Sequence, residues 1–230
     1  NFNLYGKSLV SPTLSKQYIA EAKFIRSLCY FYLVNLYARP YVDGAGANLG
    51  VPLVLEAVTI DPLNAANKIP RSTVKQVYDQ MIKDLTEAYP DLPNSYGTDY
   101  FDRARATQGA AQALLARIYL YKNDWDNAIT MCDNVTAHGY TLEVDPYNNW
   151  KRSNYTTSAN KERIFSVAMN TADNPNTNNA IGQHYSANGR GDITISDGYF
   201  NLPNFSTTDA RQSTQFIRDV DGDSYVGKYY

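Results

Sequence analysis

The chain has 230 residues, with 21 Lys and Arg against 23 Asp and Glu and a formal charge of -2. That balance leaves no electrostatic footprint for nucleic acid or an anionic membrane surface. No run approaches the ~20 consecutive apolar residues of a membrane helix, and residues 1–10 (NFNLYGKSLV) lack the charged and apolar regions of a secretion signal. The apolar fraction of 43% suffices for a core in one large domain or two small ones. The chain starts with neither Met nor Cys and reads as the middle of something longer. The unusual count is 20 tyrosines, which with two Trp and eight Phe bring the aromatics to 13%. Tyrosine combines a packing ring with a hydrogen-bonding hydroxyl, so the excess suits helix packing and wet sugar or peptide sites alike.

The first helix is predicted over 15–38, with an apolar stripe at Ala22, Ile25, Cys29, Tyr32 and Leu36 that follows the 3.6-residue period. From Leu28 onward it is apolar nearly all round, as in a helix with several neighbours. Arg39-Pro40 ends it. Residues 41–70 read as a long connection, with a flexible loop at Asp43-Gly44-Ala45-Gly46 and a short extended segment at Val51-Pro52-Leu53-Val54-Leu55. A second helix is predicted over 74–89, opened by a Thr73/Gln76 capping box and stopped by Pro90. Val74, Val77, Tyr78, Met81, Leu85 and Ala88 form its apolar face, and Lys75, Lys83, Asp84 and Glu87 the opposite one. The third helix, 108–122, carries small residues at Gly109, Ala110, Ala111, Ala113 and Ala116 that let another helix come close. The fourth, 125–138, has Asp124 as N-cap, an apolar face at Trp125, Ala128, Ile129, Cys132 and Val135, and a left-handed terminator at Gly139. Cys29 and Cys132 lie in apolar helical runs and read as small buried hydrophobes, with a disulfide between them left open. From Tyr140 helical periodicity is lost and Asn becomes frequent; 163–168 and 192–195 are candidate strands among ordered loops.

The third and fourth helices together read as one tetratricopeptide repeat. Ala116 and Ala128 sit where two antiparallel helices touch, Tyr119 fills the gap beside them, and the turn 122–124 folds the helices back on each other. One repeat cannot bury its own face and needs stacked neighbours, for which the first two helices are natural candidates. Several further segments occur in a telling order: Glu21 through Tyr37 (EAKFIRSLCYFYLVNLY), Gly50-Val-Pro-Leu53, Pro70-Arg-Ser-Thr-Val-Lys-Gln-Val-Tyr78, Asp84-Leu85 through Leu92-Pro93, Ala110 through Tyr121, Glu162-Arg-Ile-Phe165, Asp209-Ala-Arg211 and Lys228-Tyr229. Their order and spacing resemble the SusD/RagB family of Bacteroidetes outer-membrane nutrient-binding lipoproteins.

The resemblance implies a mainly α fold: a tetratricopeptide-like helical scaffold with an irregular, loop-rich portion carrying short strands. It assigns 1–139, with the 41–70 loop insertion, to the helical part and 140–230 to a loop-rich ligand-side part of the same domain. It also implies a non-enzymatic protein on the outer face of the outer membrane, held there only through a lipid anchor outside this chain. Its role would be to capture oligosaccharide or peptide and deliver it to a SusC-like TonB-dependent transporter. The alternative kept beside it is a protein–protein adaptor without a small-molecule ligand.

Sugar rings stack on aromatics while their hydroxyls bond amides, carboxylates and guanidinium groups. The second half supplies that mixture, with Trp150, Tyr155, Tyr185, Tyr199 and Phe205 as stacking candidates and Asn188, Arg190 and Asp192 as polar candidates on a Gly-containing loop. Asp219, Asp221 and Asp223 alternate like the start of a calcium loop, but Ser224 stands at the sixth position and Tyr230 at the twelfth. The expectation is therefore no EF-hand, with an irregular structural calcium site weighed against a solvated turn around Gly222. His138 and His184 have no partner constellation in the sequence, and no cofactor motif is found.

Overall fold

The structure is a computed structural model that describes residues 6, 9–56, 68–97, 103–149, 160–167, 180–203, 206, 208–214 and 216–227. Its longest element is α1, Pro12–Tyr37. It starts three residues before the predicted helix because Ser11-Pro12 is a start signal: Ser11 Oγ accepts from Leu14 N at 3.2 Å, and proline fills a first-turn position that has no use for an N–H. A short ribbon follows, in which β1 (Leu49–Pro52) pairs antiparallel with β2 (Arg71–Thr73). Then come α2 (Val74–Ala88), α3 (Gln108–Tyr121) and α4 (Trp125–Thr136). The capping box of α2 is formed in both directions, with Gln76 N donating to Thr73 Oγ1 at 3.2 Å and Thr73 N donating to Gln76 Oε1 at 2.8 Å. At α4 Asp124 holds the N-cap position without capping; its carboxylate accepts from the Asn127 side chain at 2.8 Å instead.

The contacts divide the chain into two compact units, Asn1–Thr141 with Ile164–Ser166, and Leu142–Arg163 with Val167–Tyr230. In the first, α1 packs on α2, α2 on α3, and α3 on α4, as in two stacked helical hairpins. Ala116 and Ala128 are buried at the α3–α4 contact, and Asn123 turns the chain with φ 59°. The shared core holds Phe24, Phe31 and Val34 of α1, Val77, Tyr78, Met81 and Leu85 of α2, and Leu114, Leu115 and Ile118 of α3. Gly109 makes room for the ring of Tyr140 and not for a second helix.

Three predicted features of this unit are corrected. The stripe Ala22, Ile25, Cys29, Tyr32 and Leu36 of α1 is exposed, and the buried face is Ala20, Phe24, Ser27, Phe31 and Val34. Both stripes obey the same period, so on a helix apolar nearly all round periodicity does not choose between them. Cys29 and Cys132 are accordingly exposed free thiols, neither buried nor bridged. Asp84, assigned to the solvent face of α2, is 1% exposed. It receives a two-pronged bond from Arg26 of α1, at 2.8 and 2.6 Å, and a third from Gln80 at 2.9 Å. The Arg26 guanidinium, hydrogen-bonded to Asp84, has its pKa raised further.

The segment predicted as a flexible loop is an ordered cap. Gly46 O and Asn48 O accept from Lys75 N and Val74 N, both at 2.9 Å, and so satisfy first-turn N–H groups of α2. Gly46 sits at φ 79°, and a Cβ there would come within 3.0 Å of Lys75 N. Gly46→Ala is therefore expected to cost about 2 kcal/mol of stability, from left-handed strain plus the broken cap; a shift in urea midpoint corresponding to less than half of that would mean that the loop is dispensable to α2.

Tyr78 is fully buried, bonds Asn35 Oδ1 at 3.4 Å and packs on Tyr41. Burial pushes its phenol up to about 12. A raised folded pKa leaves stability intact below the ordinary tyrosine value near 10, and stability falls as pH rises from there through 12. Alkaline titration should therefore show a late phase of tyrosinate absorbance appearing together with loss of helical circular dichroism. A Tyr78→Phe variant should resist alkali further, and an unchanged alkaline midpoint would remove Tyr78 as the cause.

The second unit is built from short elements. These are α5 (Ile181–Tyr185), α6 (Asp197–Phe200) and the hairpin β3 (Ile217–Val220) with β4 (Asp223–Val226). The described residues at 163–167 and 192–195 form no regular strand. Asn160, 2% exposed, joins several loops: it donates to Asn149 Oδ1 at 2.7 Å and accepts from the backbone N–H groups of Glu162 and Arg163. Glu162 accepts from the Asn149 side chain and from Glu143 N, which holds its carboxyl below the usual range. At least part of the asparagine excess thus fastens loops. The architecture is mainly α, and no helix among the described residues is long and apolar enough to cross a membrane.

Candidate functional site

In the second unit, four of the residues picked from sequence fall on one knot of chain. Helix α5 ends at Tyr185, and the chain reverses so that Arg190 N and Gly191 N both donate to Gln183 O, at 2.7 and 3.3 Å. Ile193 N donates to His184 O at 3.0 Å and closes the loop. Asn188 N rests on Ser186 Oγ at 3.2 Å. Asp192 ties the knot: its Oδ2 lies 2.9 Å from His184 Nδ1 and 2.8 Å from Arg190 Nε. Gly189 passes so close to Gln183 that a Cβ would lie 2.6 Å from its carbonyl oxygen. Ile195 N donates to Ser224 O at 2.7 Å, which hangs the loop on the β3–β4 hairpin, and the ring of Tyr225 lies against Gly191.

Asn188, Arg190 and Asp192 are exposed, and Tyr185 and His184 are half-buried. The loop therefore presents an amide, a guanidinium and a carboxylate on a backbone fixed by its own hydrogen bonds. Such a display can hold hydroxyl groups in a set orientation. Tyr199 lies on α6, its ring 5.5 Å from that of Phe200. Trp150, Tyr155 and Phe205 fall outside the described residues. His184 was missed as a loop residue without a partner; eight positions separate it from Asp192, and only the chain reversal brings them together.

Asp219, Asp221 and Asp223 are distributed around the β3–β4 hairpin. Asp221 and Gly222 form its two-residue turn at φ 53° and 91°, and Asp219 accepts from Ser224 Oγ at 2.6 Å across the strands. The Asp-Gly pair is a strong hairpin signal that the spacing of the carboxylates obscured. Among the described residues no group of three or more His, Cys, Asp or Glu side chains is placed to hold a metal ion.

The first unit offers a different surface. An open groove of about 500 Å³ lies between α2 and the α3–α4 turn, lined by Ile82, Lys83, Glu87, Tyr119, Lys122 and Asn127 among others. Its charges are partly compensated within the unit, Glu87 by Lys23 at 2.7 Å and Lys122 by Asp124 at 3.7 Å.

Stacked helical hairpins joined to a loop-rich unit define a helical-repeat protein. The chain belongs to the SusD-like family: residues 4–120 match the family described as starch-binding, associating with outer membrane. A curated relative, SusD-like protein P25 of Formosa agariphila, is 28% identical over 135 residues, 59% of this chain and 23% of the relative. A solved SusD superfamily protein of Bacteroides vulgatus superposes with TM-score 0.77 at 25% identity, covering 94% of this chain and 48% of its own. A solved laminarin-binding SusD-like protein superposes with TM-score 0.52 at 27% identity, over 63% of this chain and 30% of its own. The chain thus spans about a quarter of the curated relative and about half of the Bacteroides vulgatus structure.

Proposed function

We propose that this chain is part of a cell-surface binding protein that captures an oligosaccharide without converting it and passes it to a SusC-like TonB-dependent transporter. The protein would be held at the outer membrane by a lipid anchor outside these residues. The observation that supports this reading is the α5 loop knot, a self-bonded loop that carries Tyr185, Asn188, Arg190 and Asp192, the aromatic, amide, guanidinium and carboxylate groups a polyhydroxylated ligand uses. The likeness to a laminarin-binding protein favours glycan over peptide. The test is calorimetric titration of the full-length protein with β-glucan oligosaccharides, starch oligosaccharides and short peptides, with product analysis of the same mixtures. Saturable glycan binding without turnover is expected. Saturable peptide binding would move the ligand class, and turnover would overthrow the non-enzymatic reading.

A second reading, a protein–protein adaptor, is supported by the groove between α2 and the α3–α4 turn. Folded full-length protein that binds no glycan and no short peptide, yet holds a transporter subunit, would favour it.

A further inference from the structure

Asparagine is abundant in this chain, but only Asn188 is followed by glycine. An Asn-Gly pair carries an intramolecular reaction: the glycine backbone nitrogen can attack the side-chain carbonyl carbon of the asparagine and close a succinimide ring. Glycine has no side chain to shield that nitrogen or to restrict the backbone that must turn toward it. The α5 loop displays the pair in reactive form. Asn188 is exposed, and its side-chain amide has no hydrogen-bond partner among the described residues. The same loop also restrains the reaction, because Gly189 N donates to Ser186 O at 3.0 Å and must leave that bond before it attacks. No other residue type fits at 189, where a Cβ would lie 2.6 Å from Gln183 O and 2.8 Å from Gln183 Cα. The close approach that shapes the knot therefore builds the reactive pair into it.

We propose that Asn188 is a self-modification site gated by opening of the α5 loop, and that its isoaspartate product cannot re-form the loop. In the opened loop hydroxide removes the Gly189 N proton, the nitrogen bonds to Asn188 Cγ, and the side-chain nitrogen leaves as ammonia after taking up a proton. Water then opens the ring at either carbonyl. The net change is one water in and one ammonia out, with no oxidation or reduction. Opening at the backbone carbonyl gives isoaspartate, in which the main chain runs through Cβ and Cγ and is longer by one carbon, about 1.5 Å. That carbon falls where Gly189 already touches the Gln183 backbone, so Arg190 N and Gly191 N lose Gln183 O, their shared acceptor at 2.7 and 3.3 Å. Opening at Cγ gives aspartate, whose new carboxylate competes with Asp192 for Arg190. The reaction needs no ligand and is independent of what the loop binds.

The test incubates the native full-length protein and a synthetic peptide of residues 185–192 in the same mildly alkaline buffer, with peptide mass spectrometry following conversion at Asn188. The native rate is expected to be ~10-fold to ~100-fold below that of the peptide, because the loop must open first. Asp192→Ala, which cuts the ties to His184 and Arg190, should bring the rate toward that of the peptide. Equal rates in native protein and peptide would overturn the gating, and a native rate more than ~1,000-fold below the peptide would remove Asn188 as a modification site. Hydrogen exchange on the isoaspartate form should show the Arg190 and Gly191 amides unprotected; retained protection there would overturn the claim that the loop cannot re-form. The comparison of native protein with peptide involves no substitution and stands even if the Asp192 variant fails to fold.

Discussion

Asp84→Ala is expected to destabilise the helical unit by about 3 kcal/mol, because it strips a buried guanidinium–carboxylate pair of one member. Arg26 loses both bonds to the carboxylate, and Gln80 loses its acceptor. Arg26 keeps some contact with water, its side chain being 32% exposed, which places the loss at the low end for such pairs. The companion measurement is the double replacement Arg26→Met with Asp84→Leu. Matched apolar residues remove the desolvation penalty together with the attraction, so the double variant should recover most of the loss. Urea denaturation gives both values through the midpoint and slope. A single-variant loss below about 1 kcal/mol would show the pair to behave as an ordinary surface ion pair.

The second large effect belongs to the loop knot. Gly189→Ala places a carbon against the Gln183 backbone, which has no flexible side-chain end to give way. The loop should open, and glycan affinity should fall by about tenfold or more, the equivalent of one charged hydrogen bond. Asp192→Asn, which keeps the shape and removes the charge shared by His184 and Arg190, should weaken binding in the same direction. The urea midpoint of the helical unit should hardly move in either variant, since local opening is separate from global unfolding. Unchanged glycan affinity in both would move the binding site off this loop.

How far the sequence could be read follows from the range of the forces involved. The four long helices were legible because their signals are local. Thr73 with Gln76, the Lys122 to Asp124 turn and Gly139 act within one or two turns of chain, and each stands where it was expected. The face that α1 buries was not legible, because Phe24-Phe31 and Ile25-Tyr32 are equally periodic and only the packing of α2 selects one of them. Asp84 was misplaced because a carboxylate reads as solvent-facing until a partner 58 positions away is known to reach it. The loop knot was half legible. Tyr185, Asn188, Arg190 and Asp192 were named for their chemistry, but the contacts that assemble them run through backbone carbonyls, which carry no residue identity. Gly46 shows the same limit, since a Gly-rich stretch looks mobile from sequence whether or not its carbonyls cap a helix.

The return of Ile164–Ser166 to the helical unit bears on biosynthesis. Phe165 packs edge-on against Phe24 at 5.1 Å, and Ser166 N donates to Arg103 O at 2.8 Å. During translation the four helices are complete at Thr136, yet the ring of Phe24 waits for Phe165 to emerge, an interval on the order of a few seconds at ribosomal speed. A nascent chain in that interval presents an aromatic surface to whatever chaperone meets it. A cut placed at the boundary after Thr141 would make that exposure permanent.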